Sequence, residues 1–88
     1  MKLKDGFIFQ DLGDKHMAVA SGAAGEVFRG MVRNNATADF IFRALMHETT
    51  EEAVVDAMAE RYDAPRERIQ ADVRRLIARF REAGLLEE

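Results

Sequence analysis

The sequence predicts an α+β domain in which a three-stranded antiparallel sheet packs on three helices, in the order β-β-β-α-α-α. The strands are predicted by two apolar runs joined at Gly13-Asp14 and by a third short run over residues 27–33. The helices are predicted because apolar residues recur every three or four positions through the second half of the chain. At 88 residues, the chain is expected to form a single domain over residues 1–88.

The first two strands form a β-hairpin, because residues 7–12 and 15–21 flank Gly13-Asp14, a pair that favours a tight two-residue turn. That turn sets the register between the strands. The predicted cross-strand pairs are Phe7–Ala20, Ile8–Val19, Phe9–Ala18, Gln10–Met17 and Asp11–His16. Both faces of this hairpin are partly apolar, so the pattern leaves open which face meets the core.

The third strand is predicted over residues 27–33, after a loop over residues 21–25. Gly30 in its middle indicates a bulge or the close approach of another backbone. A three-stranded sheet leaves at least one edge with unpaired N–H and C=O groups. Short strands and arginines at such an edge usually prevent aggregation, but they also allow a partner strand to add.

Two helices follow the sheet, each preceded by a capping signal. Asn34-Asn35 supplies an N-cap for a helix over residues 36–46. Thr49 with Glu52 three residues later forms a capping box for a helix that ends near residue 62. The buried face of this second helix is expected to contain Ala53, Val54, Ala57 and Met58.

The last helix is predicted over residues 65–83, with Gly84 as the residue that closes it and Leu85 packing back on it. Its apolar stripe contains Ile69, Val73, Leu76, Ile77 and Phe80. One flank carries Gln70, Arg74 and Arg81, with Arg66 on the same side as the stripe; the other carries Arg68, Asp72, Arg79 and Ala83. This pattern is typical of a helix docked on a core with a solvated arginine face. The alternative is that the stripe and one cationic flank line a groove.

The charge distribution argues against a general nucleic-acid-binding protein. The formal net charge is −3 and the pI is about 5.4. Residues 46–63 carry a net charge of −5 and residues 64–82 carry +3. Neighbouring segments of opposite charge most often attract one another within one domain.

No catalytic, cofactor or metal site is predicted. Cysteine is absent, and His16 and His47 lie in different elements without a second ligand three or four residues away. GAAGE lacks the lysine and hydroxyl residue of a phosphate-binding loop. No apolar run reaches membrane-spanning length and the first residues lack a signal-peptide core, so a cytoplasmic protein without membrane contact is expected.

Four strings carry a resemblance to a known family. They are an opening KDGF before the hairpin, FRGMVRN running into NAT and a helix, the capped segment ETTEEAVVDAMAERYD, and a last helix containing ADV and closed by FREAGLL. In this order they resemble the PqqD family, the recognition elements of ribosomally made, modified peptides (RiPPs), over nearly the whole chain. The entry to the first helix, Asn34-Asn35-Ala36-Thr37, departs from the Leu-Asn-Glu-Thr often found there. Whether the pathway makes pyrroloquinoline quinone (PQQ) or another peptide product stays open.

The resemblance implies a winged-helix-like, non-catalytic peptide chaperone without a cofactor. Such proteins bind the leader of a precursor peptide and present it to a modifying enzyme, often a radical SAM protein. The leader adds as a strand to the third strand and docks against the third helix. By position, the peptide-binding residues are Val27, Phe28, Arg29, Gly30, Met31 and Val32 on the strand, and Arg66, Gln70, Val73, Arg74, Ile77 and Arg81 on the helix.

Two other functions remain open. The second helix, a short turn and the arginine-rich third helix are similar to a helix-turn-helix, so a winged-helix DNA-binding regulator is the main alternative. The acidic segment beside those arginines disfavours it, because it would repel phosphates. The second alternative is a homodimer, in which the free sheet edge pairs with its own copy.

Overall fold

The computed structural model describes residues 1–13, 15–27 and 31–88. Among these residues the fold is α+β, as predicted, with four helices and two antiparallel sheets. The elements in chain order are β1 (Lys2–Leu3), β2 (Phe7–Leu12), β3 (Lys15–Ala20), α1 (Gly22–Val27), β4 (Met31–Asn34), α2 (Ala36–Ala44), α3 (Glu51–Arg61), α4 (Arg66–Glu82) and β5 (Leu86–Glu87). None of the described helices is long and apolar enough to cross a bilayer.

The β2–β3 hairpin has the register that the Gly13-Asp14 turn predicts. All five predicted pairs are present, and Leu12 pairs with Lys15 beside the turn. The structure also decides which face is internal: Phe7 and Ala18 are buried, whereas Ile8 and Leu12 are more than half exposed. The inner face therefore alternates large phenylalanines on β2 with small alanines on β3, which leaves room for the helices.

The predicted order β-β-β-α-α-α is wrong in two places. A helix, α1, replaces the predicted loop over residues 21–25 and ends at Val27, the residue predicted to begin the third strand; the described strand β4 runs from Met31 to Asn34. Burial explains the helix, because Ala24 is fully buried and its N–H donates to the C=O of Asp5 at 3.0 Å. That packing outweighs the weak helix propensity of a glycine-rich segment. The larger sheet has the order β2-β3-β4, and the four-residue β4 adds to what is mainly a hairpin.

The second departure is a small sheet that joins the two chain ends. Lys2–Leu3 pairs antiparallel with Leu86–Glu87. Gly84 makes this possible: its φ of +75° turns the chain after α4, and the Leu85 N–H then donates to the C=O of Phe80 at 2.9 Å. This bond is the 6→1 bond of a Schellman motif. The predicted closure of the last helix by Gly84 and buried Leu85 is confirmed.

The N-caps of α2 and α3 are set by side chains. Asn35 accepts a hydrogen bond from the Ala38 N–H, as predicted for the first cap. For α3 the cap is Thr50, which accepts from the Ala53 N–H at 3.1 Å, and not the predicted Thr49. The shift is one residue, and helix boundaries are the least predictable part of a helix.

Thr50→Ala is therefore expected to lower the free energy of unfolding by about 1 kcal/mol, the usual loss when a threonine N-cap becomes alanine. Thr49→Ala is the matched control: Thr49 is half-buried but its side chain makes no capping bond, so this variant should stay within about 0.5 kcal/mol of the parent. Urea titrations followed by circular dichroism measure both. A larger loss for Thr49→Ala would move the cap back to the position that the sequence predicts.

Candidate functional site

β4 lies at one edge of the larger sheet. It pairs with β3 through His16–Asn34, Met17–Arg33, Ala18–Val32 and Val19–Met31. Within the described part of the chain no strand pairs with its other side. The outward N–H and C=O groups of Met31–Asn34 are thus positioned to pair with an added strand.

The structure places the predicted strand residues in different elements. Val27 is the last residue of α1, and the backbones of Met31 and Val32 lie in β4. Phe28, Arg29 and Gly30 lie outside the described residues. The backbone of the edge strand that the structure describes is therefore Met31–Asn34.

Two of the predicted helix residues are part of the core. Val73 is fully buried and Ile77 is 3% exposed, on the same face of α4 as Ile69 and Phe80. This face packs inward because the apolar stripe is what docks α4 on the domain. In this conformation neither side chain is accessible to a ligand.

The predicted arginines are exposed but already form ion pairs. Arg66 contacts Asp56 and Arg74 contacts Glu51, both on α3. Arg81 bonds both carboxylate oxygens of Glu88, at 2.6 and 3.2 Å, and these bonds lower the pKa of that carboxyl below its ordinary value. The flank of α4 that carries Arg74 therefore faces α3, and Gln70 on the same flank is half-buried. Exposed ion pairs contribute little, about 0–1 kcal/mol each, so an acidic ligand can replace the partner of an arginine.

The opposite flank of α4 forms a pocket with α2. Its volume is about 220 Å³ and it is lined by Asn35, Thr37, Ala38, Ile41, Asp72, Arg75, Leu76 and Arg79. Asn35 directly follows the last residue of β4, so the pocket lies beside the end of the edge strand. Half-buried Leu76 supplies an apolar surface and the exposed Arg79 supplies positive charge, whereas Arg75 forms an ion pair with Asp72 at 3.5 Å.

Sequence reasoning missed this pocket although it identified both flanks of the helix. The positions of Leu76 and Arg79 on the wheel were clear, but the wheel does not say which neighbour each flank meets. That depends on α3 covering the Arg74 side, where Glu51 and Asp56 attract the arginines. The sequence signal for this packing is the change of net charge from −5 over residues 46–63 to +3 over residues 64–82, because segments of opposite charge attract each other.

Comparisons with known proteins give one family and one solved structure. Residues 17–86 match the family described as coenzyme PQQ synthesis protein D (PqqD). A solved structure described as TbiB1 in complex with the TbiA(beta) leader peptide has a similar fold, with a TM-score of 0.73 and 21% sequence identity over 99% of this chain and 95% of that chain. No curated protein sequence matches the chain.

Proposed function

Since this chain belongs to the PqqD family of RiPP recognition elements, we propose that it binds the leader region of a ribosomally made precursor peptide and presents it to a modifying enzyme. Membership of the family also means that the protein is not an enzyme. The observation that supports this function best is the free outer edge of β4 beside the α2–α4 pocket.

The edge strand supplies the part of recognition that does not depend on sequence. A leader in extended conformation pairs its backbone with the outer side of Met31–Asn34, so affinity comes from main-chain hydrogen bonds. The binding segment that we propose on this side is Val27 to Val32 with the β4 residues that follow. The similar fold of TbiB1, whose structure contains a leader peptide, supports this proposal.

The helix supplies the selective part. The sequence assigns this role to Arg66, Gln70, Val73, Arg74, Ile77 and Arg81, and the geometry favours the other flank of α4. An apolar leader side chain fits against Leu76, and an acidic one meets Arg79, or Arg75 in exchange for its exposed pairing with Asp72. Arginine pairs well with carboxylates, bidentately where geometry permits. We therefore propose an acidic–apolar leader motif bound between β4, α2 and α4.

The partner that receives the leader is proposed to be a radical SAM maturase, as is common where such modules occur. This step requires no chemistry from the present chain. The leader occupies one edge of the sheet and one side of α4, which leaves the other side of the domain for contact with the enzyme.

Arg79→Glu is expected to weaken leader binding about tenfold, because reversing a charge at the pocket replaces an attraction with a repulsion worth about 1.4 kcal/mol. The measurement is isothermal titration calorimetry with a synthetic peptide of the cognate leader. Leu76→Asp is expected to weaken binding at least as much, because it removes the apolar surface of the pocket and places a carboxylate beside Arg79, where it competes with an acidic leader side chain.

Arg81→Glu is the matched control, because Arg81 is also exposed on the same helix but lies on the other flank, where it pairs with Glu88. It should change the dissociation constant less than twofold. If Arg81→Glu weakens binding and Arg79→Glu does not, the flank predicted from the sequence is the binding flank. Chemical-shift mapping with the leader tests the strand: perturbations confined to α3, with Met31–Asn34 silent, would refute strand addition.

The same samples separate the other functions. DNA affinity that falls steeply with salt would favour a DNA-binding protein. However, Asp56 and Glu51 lie beside Arg66 and Arg74, and these carboxylates would repel the phosphates of DNA. Light scattering with and without leader distinguishes a homodimer paired at the sheet edge from a one-to-one complex, because a leader that uses the same edge dissociates the dimer.

A further inference from the structure

Three potential metal-ligating side chains, from three different elements, meet on the inner face of the hairpin. Asp11 lies on β2 and His16 lies opposite it on β3, while Asp39 lies on α2. The Nδ1 atom of His16 is 3.0 Å from Asp11 Oδ1 and 3.6 Å from Asp39 Oδ2. One ligating atom from each residue lies within 4.8 Å of the other two, and these residues share a solvent-connected pocket of about 490 Å³.

Asp39 is the unusual member of this cluster. It is 93% buried, with 7% of its surface exposed. Its Oδ2 accepts a hydrogen bond from Arg43 Nε at 2.8 Å, but its Oδ1 has no hydrogen-bond partner among the described residues. A buried carboxylate oxygen without a partner is costly, and native proteins rarely leave one. A ligand that bonds Oδ1 would therefore satisfy an oxygen that the described residues leave unpaired.

We propose that Asp11, His16 and Asp39 bind a divalent transition-metal ion such as Zn²⁺. Ligands about 2.0–2.2 Å from a tetrahedral metal are about 3.3–3.6 Å from one another, and the two N···O distances of 3.0 and 3.6 Å need little adjustment. The imidazole nitrogen favours zinc over magnesium or calcium, which prefer oxygen ligands. Binding requires Nδ1 without its proton, so the neutral ring carries its proton on Nε2 and any proton on Nδ1 passes to solvent.

Arg43 determines how well the site attracts a cation. Its guanidinium also donates to Asp11 Oδ1 at 3.0 Å, and it stacks over Phe9 at 4.7 Å from the ring centre. It therefore competes with the metal for Asp11. It competes at Asp39 as well, because it donates to Oδ2, the oxygen that lies 3.6 Å from His16 Nδ1, while Oδ1 is the oxygen without a partner. Its side chain is 42% exposed, so it can leave Asp11 without unpacking the core.

The experiment is calorimetric titration of the untagged protein with ZnCl₂, alongside NMR of the imidazole nitrogens. We expect one equivalent of Zn²⁺ to bind, with a large shift of Nδ1 in His16. His16→Gln and Asp39→Asn should each weaken binding at least tenfold, since loss of even an outer partner of a metal ligand typically costs 10–100-fold. His47→Gln, which changes the other histidine, is the control and should change the affinity less than twofold.

Arg43→Gln distinguishes most directly between a metal site and a purely structural ion-pair network. If the three ligands form a metal site, removing the competing cation tightens Zn²⁺ binding several-fold. If they only form an ion-pair network that joins the hairpin to α2, Arg43→Gln lowers the melting temperature and no variant changes zinc affinity. If zinc shifts only the NMR signals of His47 or of the amino terminus, the proposal is overturned. This measurement uses the unmodified protein, so it does not depend on any variant being folded. The outcome is independent of leader binding, which the Arg79 and Arg81 variants test at a different pocket.

Discussion

Phe42→Ala is expected to lower the free energy of unfolding by about 3–5 kcal/mol, the usual loss when a buried phenylalanine becomes alanine. Phe42 is 1% exposed and its ring meets three others edge-on: Phe7 at 4.8 Å, Phe9 at 5.4 Å and Phe80 at 4.9 Å. One side chain thus joins β2, α2 and α4. A domain of this size has roughly 4–13 kcal/mol of stability in total, so the variant should be close to unfolding.

A thermal melt followed by circular dichroism measures this effect. At about 4–8 °C per kcal/mol for a domain of 60–100 residues, the midpoint should fall by more than 12 °C. Phe40→Ala is the matched control on the same helix, because Phe40 is only half-buried and contacts Tyr62 at 5.9 Å. That variant should lose less than about 2 kcal/mol. Equal losses for the two variants would contradict the central position of Phe42.

The elements predicted correctly are those in which a local signal decides the structure. The Gly13-Asp14 turn determines every pair of the hairpin, because a two-residue link leaves no freedom of register. The last helix is predicted to within one residue at each end, since Gly84 and the 3.6-residue period are both strong signals. The family resemblance rests in part on the last helix and its closing FREAGLL, and the match over residues 17–86 confirms the family.

The elements that were missed depend on tertiary contacts. Two-residue strands such as Lys2–Leu3 and Leu86–Glu87 are too short to show a period, and they pair only because the chain ends meet. On α3, Val55 is buried instead of the predicted Ala53 and Ala57, because burying valine removes more apolar surface from water.

The two candidate sites were missed for the same reason. The α2–α4 pocket requires knowing which flank of α4 is covered by α3. The Asp11–His16–Asp39 cluster requires a third ligand that is 23 residues away from His16 in the sequence. A search for metal ligands within one helix does not detect it, because its members come from two strands and a helix. Both sites are properties of packing between elements, which residue spacing does not encode.

Gly6→Ala is expected to be as damaging as the loss of Phe42, although Gly6 has no side chain to lose. Its φ is +113°, and a Cβ built there would lie 2.0 Å from the carbonyl oxygen of Ser21. The two backbone segments are also hydrogen-bonded at this point, because the Ser21 N–H donates to the Gly6 C=O at 2.9 Å. Alanine must therefore adopt a strained φ and also push two backbone segments apart, and the sum of these effects is about 3–5 kcal/mol.

Gly84→Ala separates the cost of the positive φ from the cost of the clash with Ser21. Gly84 also has a positive φ, +75°, but a Cβ there meets nothing within 4 Å, so only the cost of the left-handed conformation remains, about 1–2 kcal/mol. The difference between the two variants in urea unfolding measures the clash at Ser21. Because Ser21 leads into α1 and then β4, Gly6→Ala should also weaken leader binding under conditions where the variant is still folded. A Gly6→Ala protein as stable as Gly84→Ala would mean that the approach of Gly6 to Ser21 is looser than the structure shows, and that α1 is not held in place by it.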